Sequence, residues 1–152
     1  MNPLPASRED SGARIEWRIR LRSPPREVFA ALTLPDRMQL YWAEAVEIHE
    51  GTVEMVFPNG VRQRCRILER TAPHRFALEY FGGSIATFEL SEDGSGGTDL
   101  RLSVSSVAAE QWEEDRAGWI SVLLCLKAAV DHGIDLRNHD RGRTWDQGYV
   151  DN

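Results

Sequence analysis

The sequence predicts a single α+β domain in which a curved antiparallel sheet wraps a long C-terminal helix. Two features predict it: a meander of short alternating segments between turn residues from Ala45 to Ser106, and one helical stripe of apolar residues from Ala109 to Gly133. A third is the confinement of the other helical signals to the stretch just after the first strand. Helices placed this way cannot cross over between successive parallel strands, which excludes a βαβ arrangement. The 152 residues, 41% of them apolar, suit one core and one domain.

Ile15, Trp17, Ile19 and Leu21 alternate with Glu16, Arg18, Arg20 and Arg22, the period-two mark of a strand with one wet face. Ser23 precedes Pro24 and Pro25, so a helix capped by the serine is predicted to run through Val28, Phe29 and Leu32. Pro35 then opens a second short helix toward Met38, Leu40, Tyr41 and Trp42. Six further strands follow. Val46 and Ile48 end at Glu50-Gly51, and Val53, Met55 and Phe57 end at Pro58-Asn59-Gly60, where Asn-Gly signals a tight hairpin. Val61, Gln63, Cys65 and Ile67 alternate with arginines; Phe76, Leu78 and Tyr80 lead to Gly82-Gly83; Ala86, Phe88 and Leu90 precede a loop over 91–97; Leu100, Leu102 and Val104 close the meander. With the first strand this makes an antiparallel sheet of seven strands.

The terminal helix carries Trp112, Trp119, Leu123, Leu126 and Val130 at spacings of seven, four, three and four, all on one face, with Gly133 as its C-cap. Domain boundaries follow: a frayed leader over residues 1–13, the domain over 14–133, and a polar tail over 134–152 packing on the domain or on a partner.

Composition excludes several classes of partner. A net charge of -6 and a pI near 5.2 disfavour phosphate backbones and anionic lipid surfaces, which reward clustered Lys and Arg. The longest apolar run, Trp119 to Leu126, is far shorter than the roughly 20 residues of a membrane-spanning helix. Cys65 and Cys125 fall in a strand and a helix with no secretory signal beside them, so free thiols and a cytoplasmic location are expected.

Val28-Phe29-Ala30-Ala31-Leu32-Thr33 with Trp42 downstream, Ile67-Leu68-Glu69 through Pro73 to Phe76, Ala86-Thr87-Phe88-Glu89-Leu90 with Gly97-Thr98, and Gly118-Trp119 with Leu123, Leu126 and Lys127 carry a family resemblance in their order and spacing. The chain resembles the START-like (SRPBCC) superfamily with its helix-grip fold, in the branch named after the activator of heat-shock protein 90 ATPase. The resemblance covers most of residues 15–132. In the eukaryotic activator this domain is the second of two, and the first makes the main chaperone contact. Residues 1–13 are too few to form that partner domain, so the expectation is against a co-chaperone role. Relatives in the superfamily enclose hydrophobic ligands, and some are cyclases or dehydratases, so the resemblance leaves both binding and catalysis open.

The candidate site is a cavity between the concave sheet face and the terminal helix. Its expected borders are Trp42 before the sheet, Met55, Gln63, Cys65, Leu78, Tyr80 and Phe88 on strands, and Trp119 and Leu123 on the helix. The competing expectation is that these side chains fill the wedge, since interiors pack to about 0.74 density. Gln63, Cys65 and Tyr80 are polar groups on the inward face that need partners, which a ligand, water or backbone can supply. His132, Asp135, His139 and Asp140 are the densest set of metal-type ligands, but a solvated helix end explains them, and no metal or cofactor is expected. The arginine rows at 18, 20, 22 and at 62, 64, 66 either pair with Glu16, Glu47 and Glu79 or receive an acidic partner. Trp145 and Tyr149 either cover the cavity mouth or dock on a second subunit, which would make a homodimer.

The leading expectation is noncatalytic binding of a small hydrophobic or amphipathic molecule in this cavity. One alternative is a cyclase, dehydratase or hydrolase using Tyr80, Cys65 or a histidine as acid or base. The other is a chaperone-linked or self-associating interaction module.

Overall fold

The computed structural model describes residues 14–152; the leader expected over 1–13 lies outside them. Seven strands form one antiparallel sheet in the order β1-β7-β6-β5-β4-β3-β2. They are β1 (Ile15–Leu21), β2 (Ala45–His49), β3 (Thr52–Val56), β4 (Arg62–Thr71), β5 (Arg75–Glu79), β6 (Ile85–Glu92) and β7 (Thr98–Ser105). The helices are α1 (Pro25–Thr33), α2 (Pro35–Met38) and α3 (Trp112–His132). This is the α+β arrangement predicted from the strand and helix periodicities, and the helix-grip fold that the family resemblance implies. No helix among the described residues is long and apolar enough to cross a membrane.

Beta-4 sets the shape of the sheet. Its first half, Arg62 to Arg66, pairs with β3, and its second half, Ile67 to Thr71, pairs with β5, with a register shift between Ile67 and Glu69. A bulge of this kind bends a strand and increases its twist. The start of β4 therefore leaves the side of β5 and travels with β3, opening the sheet beside the β5–β6 turn. In that turn Gly82 and Gly83 take positive φ of 67° and 79°, conformations other residues adopt only with strain.

The concave face buries Met55, Cys65, Leu78, Phe88 and Leu102 against Trp119, Leu123 and Leu126 of α3. Glycine 133 ends α3 with φ of 64°, its N–H and that of Ile134 donating to Ala129 and Ala128 at 3.1 Å each.

Three local expectations need correction. Ser23 does not cap α1: the N-cap is Pro24, and the serine hydroxyl instead donates to Asp131 at 2.8 Å. The Asp131 carboxylate also accepts the Arg22 and Ser23 backbone N–H groups, so it outcompetes the helix end for this segment. The second short helix stops at Met38, and Leu40 to Trp42 form a turn. Val61 stands outside β4 and is 41% exposed, because the hairpin is closed by Phe57 N–H to Val61 C=O before the strand begins.

Three of the six row arginines form ion pairs with carboxylates among the described residues. Arg66 meets Glu79 at 3.0 Å, Arg64 meets Glu54 at 3.4 Å, Arg20 meets Asp93 at 2.7 Å, and Glu16 receives Arg101 at 3.2 Å. Glu47 is taken by His49 rather than by an arginine.

Candidate functional site

A groove of about 370 Å³ opens where β4 departs from β5. One wall is the β3–β4 hairpin, the second is the β5–β6 turn, the third is the first half of α3, and the fourth is the C-terminal tail. Six aromatic residues line it: Trp42, Phe57, Tyr80, Phe81, Trp119 and Trp145. All but Trp145 pack ring to ring in a continuous chain. Phe57 and Phe81 lie 5.5 Å apart between centroids, Phe81 and Tyr80 4.8 Å, and Tyr80 and Trp119 4.8 Å.

Trp42 Nε1 donates to the Tyr80 hydroxyl oxygen at 3.0 Å. The Tyr80 proton meets no acceptor among the described residues, which leaves the phenol a donor at the floor of the groove. Burial pushes the ionisation of Tyr80 well above the ordinary phenol value, so it stays protonated.

Of the nine expected cavity residues, Trp42, Tyr80 and Trp119 line this groove. Met55, Cys65, Leu78 and Phe88 are 0% exposed and Leu123 is buried; they belong to the packed core beneath it. Gln63 is half-buried on β4, its Nε2 donating to the Arg64 carbonyl at 3.3 Å. Three of the nine thus meet the groove and five lie in the core, for a steric reason. Phe88 lies 5.9 Å from both Trp42 and Trp119 and stacks on Phe76 at 6.3 Å, so four rings occupy the wedge that the bent sheet leaves. Burial, with Glu79 adding to it, pushes the Cys65 thiol up to about 12, where it is not a nucleophile near neutral pH.

Sequence reasoning did not assign Asp115, Gly118 or Val122 to the site. With Trp119 they stand at i, i+3, i+4 and i+7 on one face of α3, and that spacing was the signal available. Arg137 was missed because its role is set by contacts distant in sequence. Its side chain is 5% exposed, and it donates to the carbonyls of Gln39 at 2.7 Å and Ala43 at 3.0 Å and to the Asp135 carboxylate. These bonds tie the tail over α2. Trp145 lies against Gly118, and its Nε1 donates to Glu114 at 2.7 Å; Tyr149 stays 40% exposed.

Among the described residues no group of three His, Cys, Asp or Glu side chains is arranged to hold a metal. His139 instead bridges Glu44 at 2.6 Å and Asp135 at 2.7 Å, and His132 contacts Arg22 at 3.2 Å.

Residues 22–131 match the family model described as Activator of Hsp90 ATPase homolog 1-like protein. No match was found among curated proteins. Among solved structures, the Aha1 dimer from Colwellia psychrerythraea superposes with a TM-score of 0.71 at 20% identity, covering 79% of this chain and 97% of that one. A protein from Staphylococcus saprophyticus gives 0.70 at 19% identity, covering 80% and 93%. CalU16 from Micromonospora echinospora gives 0.62 at 26% identity, covering 76% and 72%. The first two likenesses, at such low identity, show the shared fold.

Proposed function

We propose, for a chain that belongs to the family of Activator of Hsp90 ATPase homolog 1-like proteins, that it binds a small hydrophobic or amphipathic molecule without transforming it. The ligand lies in the groove between the β3–β4 hairpin, α3 and the tail, contacting Trp42, Tyr80 and Trp119. The observation that carries this reading is the set of six aromatic residues around an opening of about 370 Å³, a size and lining typical of small-molecule sites. Affinity would come from removing apolar surface from water, at about 25 cal/mol per Å². The Tyr80 hydroxyl supplies a donor for one polar atom of the ligand. The catalytic alternative has less support for a base or nucleophile, since burial holds both Tyr80 and Cys65 in their protonated forms.

The test is titration of the purified chain with a panel of lipids, polyketides and aromatic compounds, followed by tryptophan fluorescence. A saturable shift that weakens in Trp145→Ala and in Phe81→Ala supports the groove. No saturable shift across the panel, with circular dichroism reporting an intact fold, overturns it.

A further inference from the structure

Of the four charged side chains in the lining, three are carboxylates. Asp115 lies in the first turn of α3, one helical turn before Trp119, so the carboxylate and the indole share a face. Glu114 and Asp146 line the same groove. Glu114 accepts from Trp145 Nε1 at 2.7 Å and Asp146 accepts from Asn59 Nδ2 at 2.9 Å, but neither is in an ion pair among the described residues. The Asp115 carboxylate makes no hydrogen bond or ion pair with any described residue. The side-chain oxygen of Asn152, also in the lining, is buried and without a hydrogen-bond partner. The cation of the lining, Arg137, is already engaged by Asp135 and two backbone carbonyls.

An aromatic face presents the negative side of its quadrupole, and a carboxylate beside it adds a full negative charge. Both attract the same kind of group. We propose that the groove selects a ligand bearing a protonated amine or quaternary ammonium on a ring-bearing or hydrocarbon skeleton, with the cation beside the Asp115 carboxylate and the ring of Trp119. This inference rests on the binding reading above and names its ligand class. Burial, and then the neighbouring Glu114, hold the Asp115 carboxyl above its ordinary range, the sign of a charge that a bound cation would relieve. A carboxylate-bearing amphiphile such as a fatty acid would meet repulsion at the same place.

The experiment is calorimetric titration of the full chain with three probes of one shape: 1-naphthylmethylamine, 1-naphthalenemethanol and 1-naphthaleneacetate, at neutral pH and low salt. The amine should bind about tenfold more tightly than the alcohol, and the acetate most weakly. In Asp115→Asn the amine should fall to the affinity of the alcohol, while the alcohol is unchanged. Glu114→Gln, which keeps an acceptor for Trp145, should narrow the gap in the same direction and serves if Asp115→Asn fails to fold. Alcohol or acetate binding as tightly as the amine overturns the charge preference while leaving the groove reading intact. So does an amine preference that survives both substitutions. No binding of any probe overturns both readings.

Discussion

The indole Nε1 of Trp42 donates to the phenolic oxygen of Tyr80 at 3.0 Å, joining the turn after α2 to the end of β5. The bond marks the boundary between the filled interior and the open groove. On one side Trp42 packs edge-on against Phe88; on the other, Tyr80 leans on Phe81 and Trp119.

Tyr80→Phe keeps the ring and removes the acceptor, leaving the N–H of a buried tryptophan without a partner. The expected cost is about 1–3 kcal/mol of stability, the desolvation penalty of an unpaired donor. Urea unfolding of the two proteins measures it, and equal midpoints would show that the bond contributes nothing net.

Gly118 sits within α3, where glycine costs roughly 0.5–1 kcal/mol relative to alanine. A Cβ built there would lie 3.7 Å from the Trp145 ring, an ordinary contact. Gly118→Ala should therefore raise stability by about that amount. Gly118→Leu should instead fill the groove and abolish ligand binding while the fold persists. Thermal unfolding checks the first and probe titration the second; retained binding in Gly118→Leu would move the ligand elsewhere.

His139 lies between two carboxylates, and both ring nitrogens donate at once only in the imidazolium form. The bond to Asp135 and then that to Glu44 raise its pKa above the ordinary histidine value, while burial and Arg137 oppose them. A raised folded-state pKa means that this contribution is complete below about 6.5, the unfolded value, and is lost as pH rises through the folded value. Asp135, whose burial is outweighed by Arg137 and His139, is held down to about 2 and stays ionised across this range. The melting temperature should fall between mildly acid and mildly alkaline pH, and His139→Gln should flatten that fall. A steeper slope in the variant would contradict the bridge.

Asp131 fastens the end of α3 to the start of α1 through the Arg22 and Ser23 N–H groups at 2.8 and 3.1 Å and the Ser23 hydroxyl. Burial opposes its ionisation, but these bonds outweigh burial and hold its carboxyl below the usual range. Its stabilisation is therefore present above about 3.9 and is lost as pH falls below that. Asp131→Ala should destabilise by about 2–3 kcal/mol, because two backbone donors lose a charged acceptor. Calorimetry at neutral pH checks the size. The difference from the parent protein should shrink on acidification, and a constant difference would exclude the carboxylate's charge as the cause.

The strands and the terminal helix were legible because their signals are local. Ile15 to Leu21 alternate, and Trp119, Leu123 and Leu126 repeat at helical spacing, whatever the rest of the chain does. Ser23 shows where local reading failed: its sequence context is that of a helix cap, yet a carboxylate more than a hundred residues away, Asp131, offers a stronger acceptor. Only Trp42, Tyr80 and Trp119 of the expected cavity residues line the groove, for a related reason. Inward alternation identified Met55, Cys65, Leu78 and Phe88 as facing the helix, and they do, but whether facing side chains leave space depends on their three-dimensional packing.

By itself, then, the amino-acid order determined the strand periods, the helix stripe, the turn positions and hence the α+β architecture, since each is a pattern within a few residues. Only the tertiary structure decided where the opening lies and what lines it. The bend of β4, the return of Arg137 and Trp145 across α2 and α3, and the closure of the interior by Trp42 and Phe88 join residues far apart in the chain. Such contacts follow from the shape of the whole, because volume and charge are shared among elements that meet only after folding.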